Sequence, residues 1–408
     1  MSGRAASILL ATVLLVALAS GCPRSPQEPE SLPAFYNQPL PAVPLSEAET
    51  TVGQMVEKWA SKSGRATPEL DPGLILVCRA VANRMARGKP GAIDDFSNAT
   101  LQKEMLRYGI SDSAVRTQMA SSFKLTDIET RLGAGVMEEL ADGRYTHFGV
   151  GEVRRLWPPL HYVTLVFSRR PVRLDPFPKT ADVFDAIALS GTLLVGLTNP
   201  IVYISDPSGK VREPNVRVQP DGSFRANVFF NEGAGVYRVE VGGDSPLGPE
   251  VAALMPVNVG GVADDEEATP NPVEDTEARA KILVIRQINR ERRAAGLPPL
   301  AIFAPLARVA QSHAEEMREL KYAAHASPKT GMAADRATAA GIHWRRIGEN
   351  VAVNQSAMTA HASLMESPGH RANVLDGEVT YVGVGVAFAD DGHGHRVVYL
   401  VENFVALQ

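Results

Sequence analysis

The chain has 408 residues, 45% of them apolar and 6% aromatic, with a formal charge of -5 and a mean hydropathy near zero. That length exceeds one ordinary domain, and the composition is that of globular rather than disordered protein. No basic stripe interrupts the slight acidity, so nucleic acid is not an expected partner.

Residues 1–22 read as an export signal. Arg4 precedes an apolar run, Ile8 to Ala19, which is too short for a stable membrane span and leads through Ser20-Gly21 into Cys22. The ending Ala19-Ser20-Gly21-Cys22 resembles a bacterial lipobox. That resemblance implies Cys22 as the acylated first residue of an envelope lipoprotein held at a membrane, and Pro23 after it implies the outer membrane. The other cysteine, Cys78, falls on an apolar helix face and reads as a small core residue. Residues 23–45 carry seven prolines between Pro23 and Pro44 and read as an extended tether.

Residues 46–171 form the first expected domain, α+β in order. Val52, Met55, Val56 and Trp59 mark one helix, and Leu76, Ala80 and Met85 a second. Further helical stretches precede two strands, the first with Gly149-Val150-Gly151 and the second reading "HYVTLVFSRR". Residues 172–261 change texture to short alternating strands separated by turns such as Asp206-Pro207-Ser208-Gly209 and Pro220-Asp221-Gly222. This predicts a β-sandwich of immunoglobulin-like type, with Tyr237, Val239 and Val241 on its inner face. It carries no cluster of ionisable residues and reads as a spacer or binding module. An acidic linker, 262–275, reads as solvated.

The last domain, 276–408, repeats the first. Leu306, Met317, Gly341-Ile342 and Gly383-Val384-Gly385 follow the spacing of Leu74, Met85, Gly109-Ile110 and Gly149-Val150-Gly151, as a diverged duplication would. Ala278, Ile282, Ile285 and Ile288 predict one helix face. Leu306, Val309, Ala310, His313, Ala314 and Met317 predict a second, and Ser356 to Glu366 a third helix. Two strands beginning near Thr380 and Arg396 complete a sheet on which the helices pack. Only the second copy carries histidines in the intervening segments. The counterpart of His325 falls near Ile93, and that of His370 falls on Val136 to Glu138.

His325 in "AAHASP", Glu349 in "GEN" and His370 in "SPGHRANVL" stand beside breaks, which predicts loop positions on a rigid scaffold. Two imidazoles and a carboxylate would suit zinc with an open position for water or ligand, or they would form a hydrogen-bonded polar cluster that only holds loops together. His313 reads as a buried core imidazole; His343, His361, His393 and His395 carry no spacing that demands a site.

"INRERRAAGLPPL", "AAHASP", "GEN", "SPGHRANVL" and "VGVGVAF", in that order, resemble the bacterial branch of the CAP superfamily, the cysteine-rich secretory, antigen 5 and pathogenesis-related group. The resemblance implies an α-β-α sandwich over residues 276–408 and a degenerate CAP-like domain over 46–171. It also implies a cleft of two histidines and two acids, which in some members holds a divalent metal such as zinc. His325, Glu349 and His370 match three of the four. The second acid falls on Glu366 or on Ser367, and Leu364 stands where tryptophan is frequent. The implied role is binding of a lipid, glycan or protein ligand, with His325 and His370 as metal ligands. A metal-dependent hydrolase of peptide or envelope polymer with Glu349 as general base is the alternative, and a purely structural surface protein a third.

Overall fold

The structure, a computed structural model, describes residues 31–88, 98–156, 158–194, 196–261, 274, 276–390 and 396–408. The leader with Cys22, the first part of the tether, Ile93, most of the acidic linker, His393 and His395 lie outside the described residues.

From Ser31 onward the proline-rich run is no free tether. Its strand β1 (Phe35–Tyr36) pairs antiparallel with Phe177–Pro178, and the buried Tyr36 donates its hydroxyl to the Pro256 carbonyl at 2.7 Å. Leu40 and Val43 pack on the first domain's core. The apolar side chains between the prolines make the segment a strap between two domains.

Helix α1 (Glu47–Lys62) opens with a capping box, the Ser46 hydroxyl accepting from the Glu49 amide at 3.1 Å and the Glu49 carboxylate accepting from the Ser46 amide at 2.8 Å. After it come β2 (Glu69–Leu70), α2 (Pro72–Arg87), α3 (Asn98–Arg107), β3 (Ala114–Ser122), α4 (Asp127–Leu140), β4 (His147–Arg155) and β5 (Leu160–Arg169). The sheet order is β2-β4-β5-β3. Cys78 lies wholly buried in α2, where burial pushes its thiol far above the ordinary range and leaves it an inert apolar side chain.

The middle of the chain is all strand: β6 (Val172–Leu174), β7 (Phe177–Pro178), β8 (Thr180–Ala181), β9 (Ala186–Leu193), β10 (Thr198–Ser205), β11 (Val211–Arg212), β12 (Val216–Val218), β13 (Ser223–Phe229), β14 (Gly235–Ser245) and β15 (Gly248–Val259). Two sheets, β11-β10-β14-β15-β8 and β12-β13-β9-β6, enclose one apolar core. Tyr237, Val239 and Val241 fill it as their alternation predicts.

The C-terminal domain runs α5 (Glu277–Ala294), β16 (Ala301–Ile302), α6 (Ala304–Leu320), α7 (Ala333–Ala339), β17 (Trp344–Asn354), α8 (Ala357–Glu366), α9 (Pro368–Val374), β18 (Tyr381–Asp390) and β19 (Arg396–Leu407). Its sheet order, β16-β18-β19-β17, repeats that of the first domain position for position. The same two glycines make both packings close. A Cβ on Gly383 or Gly385 would lie 2.5 Å from Leu306 C or 2.3 Å from Ala310 C, and one on Gly149 or Gly151 would lie 2.3 Å from Leu74 C or Cys78 C. In each domain, therefore, a helix backbone rests directly on a Gly-x-Gly strand.

Two details differ from expectation. The buried stripe of α5 is Ala280, Val284, Ile288 and Arg292, while Ile282 is 51% exposed. A run as apolar as "AKILVIRQI" fits two helical phases, and packing against β18 selects one. Glu274, the described residue of the acidic linker, is buried rather than solvated. Its two carboxylate oxygens each accept a backbone amide at the start of α8, from Ala357 and Met358 at 2.8 Å.

Candidate functional site

Helix α6 ends at Lys321, whose left-handed backbone (φ 54°) turns the chain into the loop carrying His325. The loop is held from beneath. Buried His313 donates Nε2–H to the Ala324 carbonyl at 2.9 Å, Ser327 donates to Glu316 at 2.8 Å, and Arg336 Nη1 donates to the His325 carbonyl at 3.0 Å. Burial lowers the His313 pKa, so the imidazole is neutral at physiological pH and serves as scaffold.

His325 stands in a loop, as expected, but the other two residues do not. Glu349 lies within β17, paired in register with Asn403, and His370 lies within α9, whose N-cap is Ser367. Glu349 accepts from His325 Nδ1 at 3.1 Å with one oxygen and from Arg336 Nη2 at 2.5 Å with the other. Burial raises its pKa, but the His325 hydrogen bond and the Arg336 and His325 charges outweigh it and hold the carboxyl below its ordinary value. Asn350, next on the strand, donates to the His370 carbonyl at 3.1 Å and to Glu402 at 3.1 Å. One strand thus fixes both histidine-bearing elements. His361 is buried against Glu402 at 2.7 Å, apart from the histidine pair.

The rings of His325 and His370 face each other with centroids 6.3 Å apart and planes 23° from parallel. His370 Nδ1 lies 2.7 Å from the Ser367 hydroxyl. Burial, and then the neighbouring His325, push the His370 pKa down to about 3, so this imidazole is neutral. Each ring is therefore anchored through Nδ1. Among the described residues no hydrogen bond reaches either Nε2.

The two residues offered for the fourth position have different partners. Glu366 turns away from the histidines and pairs with Arg238 of β14, while Ser367 reaches His370. Ser367 in turn donates to Glu240, also on β14, and Glu240 accepts the Gly369 amide at 3.2 Å. The β14–β15 turn leans on the other side: the Ala326 amide donates to the Leu247 carbonyl at 2.9 Å, and a Cβ on Gly248 would lie 2.8 Å from His325 Cβ. A spacer reading of the middle domain missed this. Arg238 and Glu240 alternate with the core-facing Tyr237, Val239 and Val241, which puts them on the outer side of β14. It is covered by α9.

Glu240 is 2% exposed, and burial pushes its carboxyl up to about 7, against the Ser367 and Gly369 hydrogen bonds that lower it. The ordinary value is 4.5, so between there and 7 the unfolded chain releases a proton that the folded chain keeps. Stability then falls as pH rises, by about 3 kcal/mol in total above pH 7. Glu240→Gln stays neutral throughout. We expect its thermal midpoint to exceed the native one at about pH 8 and to match it near pH 4, read by calorimetry; equal midpoints at both would contradict this.

Two imidazole lone pairs with anchored opposite edges fit a divalent metal such as zinc. Glu349 spends one lone pair of each oxygen on His325 and Arg336. Among the described residues no three His, Cys, Asp or Glu side chains converge to hold a metal by themselves, so remaining positions would fall to water or a ligand.

Comparison with known proteins matches residues 285–404 to CAP, the cysteine-rich secretory protein family. The Bacillus subtilis protein YkwD is 35% identical over 103 residues, covering 25% of this chain and 40% of that protein. The B. subtilis membrane protein YlbC is 34% identical over 112 residues, covering 27% of this chain and 32% of that one. The chain thus spans less than half the length of these curated relatives. Among solved structures, an extracellular SCP-domain protein of Bacillus anthracis aligns with a TM-score of 0.29 at 18% identity, over 57% of this chain and 68% of that chain.

Proposed function

Because residues 285–404 are a CAP domain, we propose that the chain is an envelope-anchored binding protein whose His325–His370 cleft takes a lipid, glycan or protein ligand with the help of a divalent cation. The observation that carries this reading is that both imidazoles are tied through Nδ1 and leave Nε2 without a partner among the described residues. Zinc bound there would supply a Lewis-acid centre for an oxygen of the ligand. His325 and His370 would hold it, Glu349 would orient His325, and Arg336 would keep Glu349 ionised. The soluble part, dialysed against micromolar zinc, is expected to retain about one equivalent and to melt higher for it, both lost in His325→Ala/His370→Ala. Equal zinc in the two proteins would end the cation reading.

The hydrolase alternative asks Glu349 to take a proton from water. A carboxylate with lowered pKa, whose oxygens already bind Arg336 and His325, is poorly placed for that.

The remaining domains we read as support. Cys22 would be acylated and place the chain in the outer membrane, with residues before Ser31 as the tether; radiolabelled palmitate lost in Cys22→Ala tests it. Within the described residues no helix is long and apolar enough to cross a membrane. The middle domain would be an immunoglobulin-like sandwich. The first domain would be a CAP-like copy that lost its site: Gly149 pairs with Val166 and that with Thr117, as Gly383 pairs with Asn403 and that with Glu349. Thr117 therefore stands where Glu349 does, and Val136, in the region matching His370, is a core residue.

A further inference from the structure

The cleft's second acid is absent from its own domain, yet a carboxylate stands behind His370. It is Glu240, on the middle strand of the neighbouring sandwich sheet. It is buried, and among the described residues its hydrogen-bond partners belong to the N-terminal turn of α9: the Ser367 hydroxyl and the Gly369 amide. The approach is close enough that a Cβ on Gly369 would lie 2.7 Å from Glu240 Oε1 and 3.3 Å from the Tyr203 ring. A glycine there lets the two domains meet. The same hairpin reaches the His325 loop through Leu247 and Gly248, so β14 and β15 touch both elements that carry the facing imidazoles.

Bond direction follows from the donors available. Above about pH 7, where Glu240 is ionised, its carboxylate only accepts, so the Ser367 hydrogen goes to Glu240. The Ser367 oxygen is then left as an acceptor, and the His370 atom 2.7 Å away must present Nδ1–H. We propose that Glu240 is a positioning residue for His370: acting through Ser367, it fixes the imidazole as the Nδ1–H tautomer and leaves Nε2 bare toward the cleft. It supplies from another domain what a carboxylate does for a ligating histidine, as Glu349 does directly for His325. Burying an acid whose hydrogen-bond partners among the described residues include no cation is unfavourable, and glutamine would fill the same space. That the chain keeps the acid here is what a positioning role requires.

This rests on the reading that the cleft uses His370 Nε2, and the test separates the two claims because it is done without metal. The full chain, with ¹⁵N-labelled histidine, is freed of metal by chelator and examined by long-range ¹H–¹⁵N correlation at about pH 8.5. In the native protein His370 is expected to show a protonated Nδ1 and a bare Nε2. Glu240→Gln is nearly isosteric but reverses the polarity. Its oxygen keeps the Gly369 amide, its NH₂ donates to Ser367, and the Ser367 hydroxyl must then donate to Nδ1. His370 should switch to the Nε2–H tautomer. If that variant fails to fold, Ser367→Ala decides, with the expectation that the predominance of Nδ1–H is lost. A native His370 protonated at Nε2, or a deciding variant that keeps the native tautomer, overturns the proposal. Absence of zinc binding with the tautomer pattern intact would remove the metal reading and leave Glu240's role standing.

Discussion

Gly385→Ala is expected to abolish the native C-terminal domain. Its Cβ would lie 2.2 Å from Ala310 O and 2.3 Å from Ala310 C, both backbone atoms of α6, so no side-chain rotation relieves the contact. The helix must lift off β18, exposing a core that includes Leu306 and Ala310. A cost of roughly 3 kcal/mol or more follows from overpacking a site that cannot yield. Gly151→Ala should do the same to the first domain, where the atoms met are Cys78 C, at 2.3 Å, and Arg79 N. Gly53→Ala is the control: no atom lies within 4 Å of its Cβ, and α1 should gain about 0.5–1 kcal/mol. Calorimetry of the full chain reads all three. If Gly385→Ala melted as the native chain does, the helix-on-strand contact would be wrong.

Glu349→Ala should cost about 3–5 kcal/mol, because it leaves Arg336 as a buried cation without its counter-charge. Among the described residues Arg336 would retain only the His325 and Gly331 carbonyls as acceptors, and His325 would lose the partner that orients it. The double variant Glu349→Ala/Arg336→Ala should cost less than the sum of the single changes, since each removes the partner that the other strands. Denaturant unfolding of the C-terminal domain checks this. Additive effects, or a single-variant loss under about 0.5 kcal/mol, would mean that the pair is not coupled.

Local signals carried much of the fold. Ser356 caps the helix expected to begin there, Leu306 to Met317 bury as one face, and the β12–β13 hairpin falls around Pro220-Asp221-Gly222. These are short-range effects, and sequence records them directly. The shared spacing of Gly149, Gly151, Gly383 and Gly385 was legible because each answers a backbone contact that tolerates no side chain.

What failed is long-range. Ile282 and Ile288 both fitted an apolar stripe of α5, and only the neighbouring strand decides between phases. Glu366 is the acid nearest His370 in the chain preceding it, yet α8 ends by pointing it at Arg238, and Ser367 turns inward as the cap of α9. Glu240 precedes its partners by more than a hundred residues, on the outer face of a strand that alternates normally. No periodicity reports that a second domain covers that face.

The most direct test of the cleft is a crystal of the soluble chain soaked in zinc and measured at the zinc absorption edge. The account predicts one anomalous peak between the two rings, about 2.0–2.1 Å from Nε2 of both His325 and His370, with Glu349 and Ser367 still on the Nδ1 atoms. A peak bound through Nδ1, or zinc found only away from this pair, would contradict it.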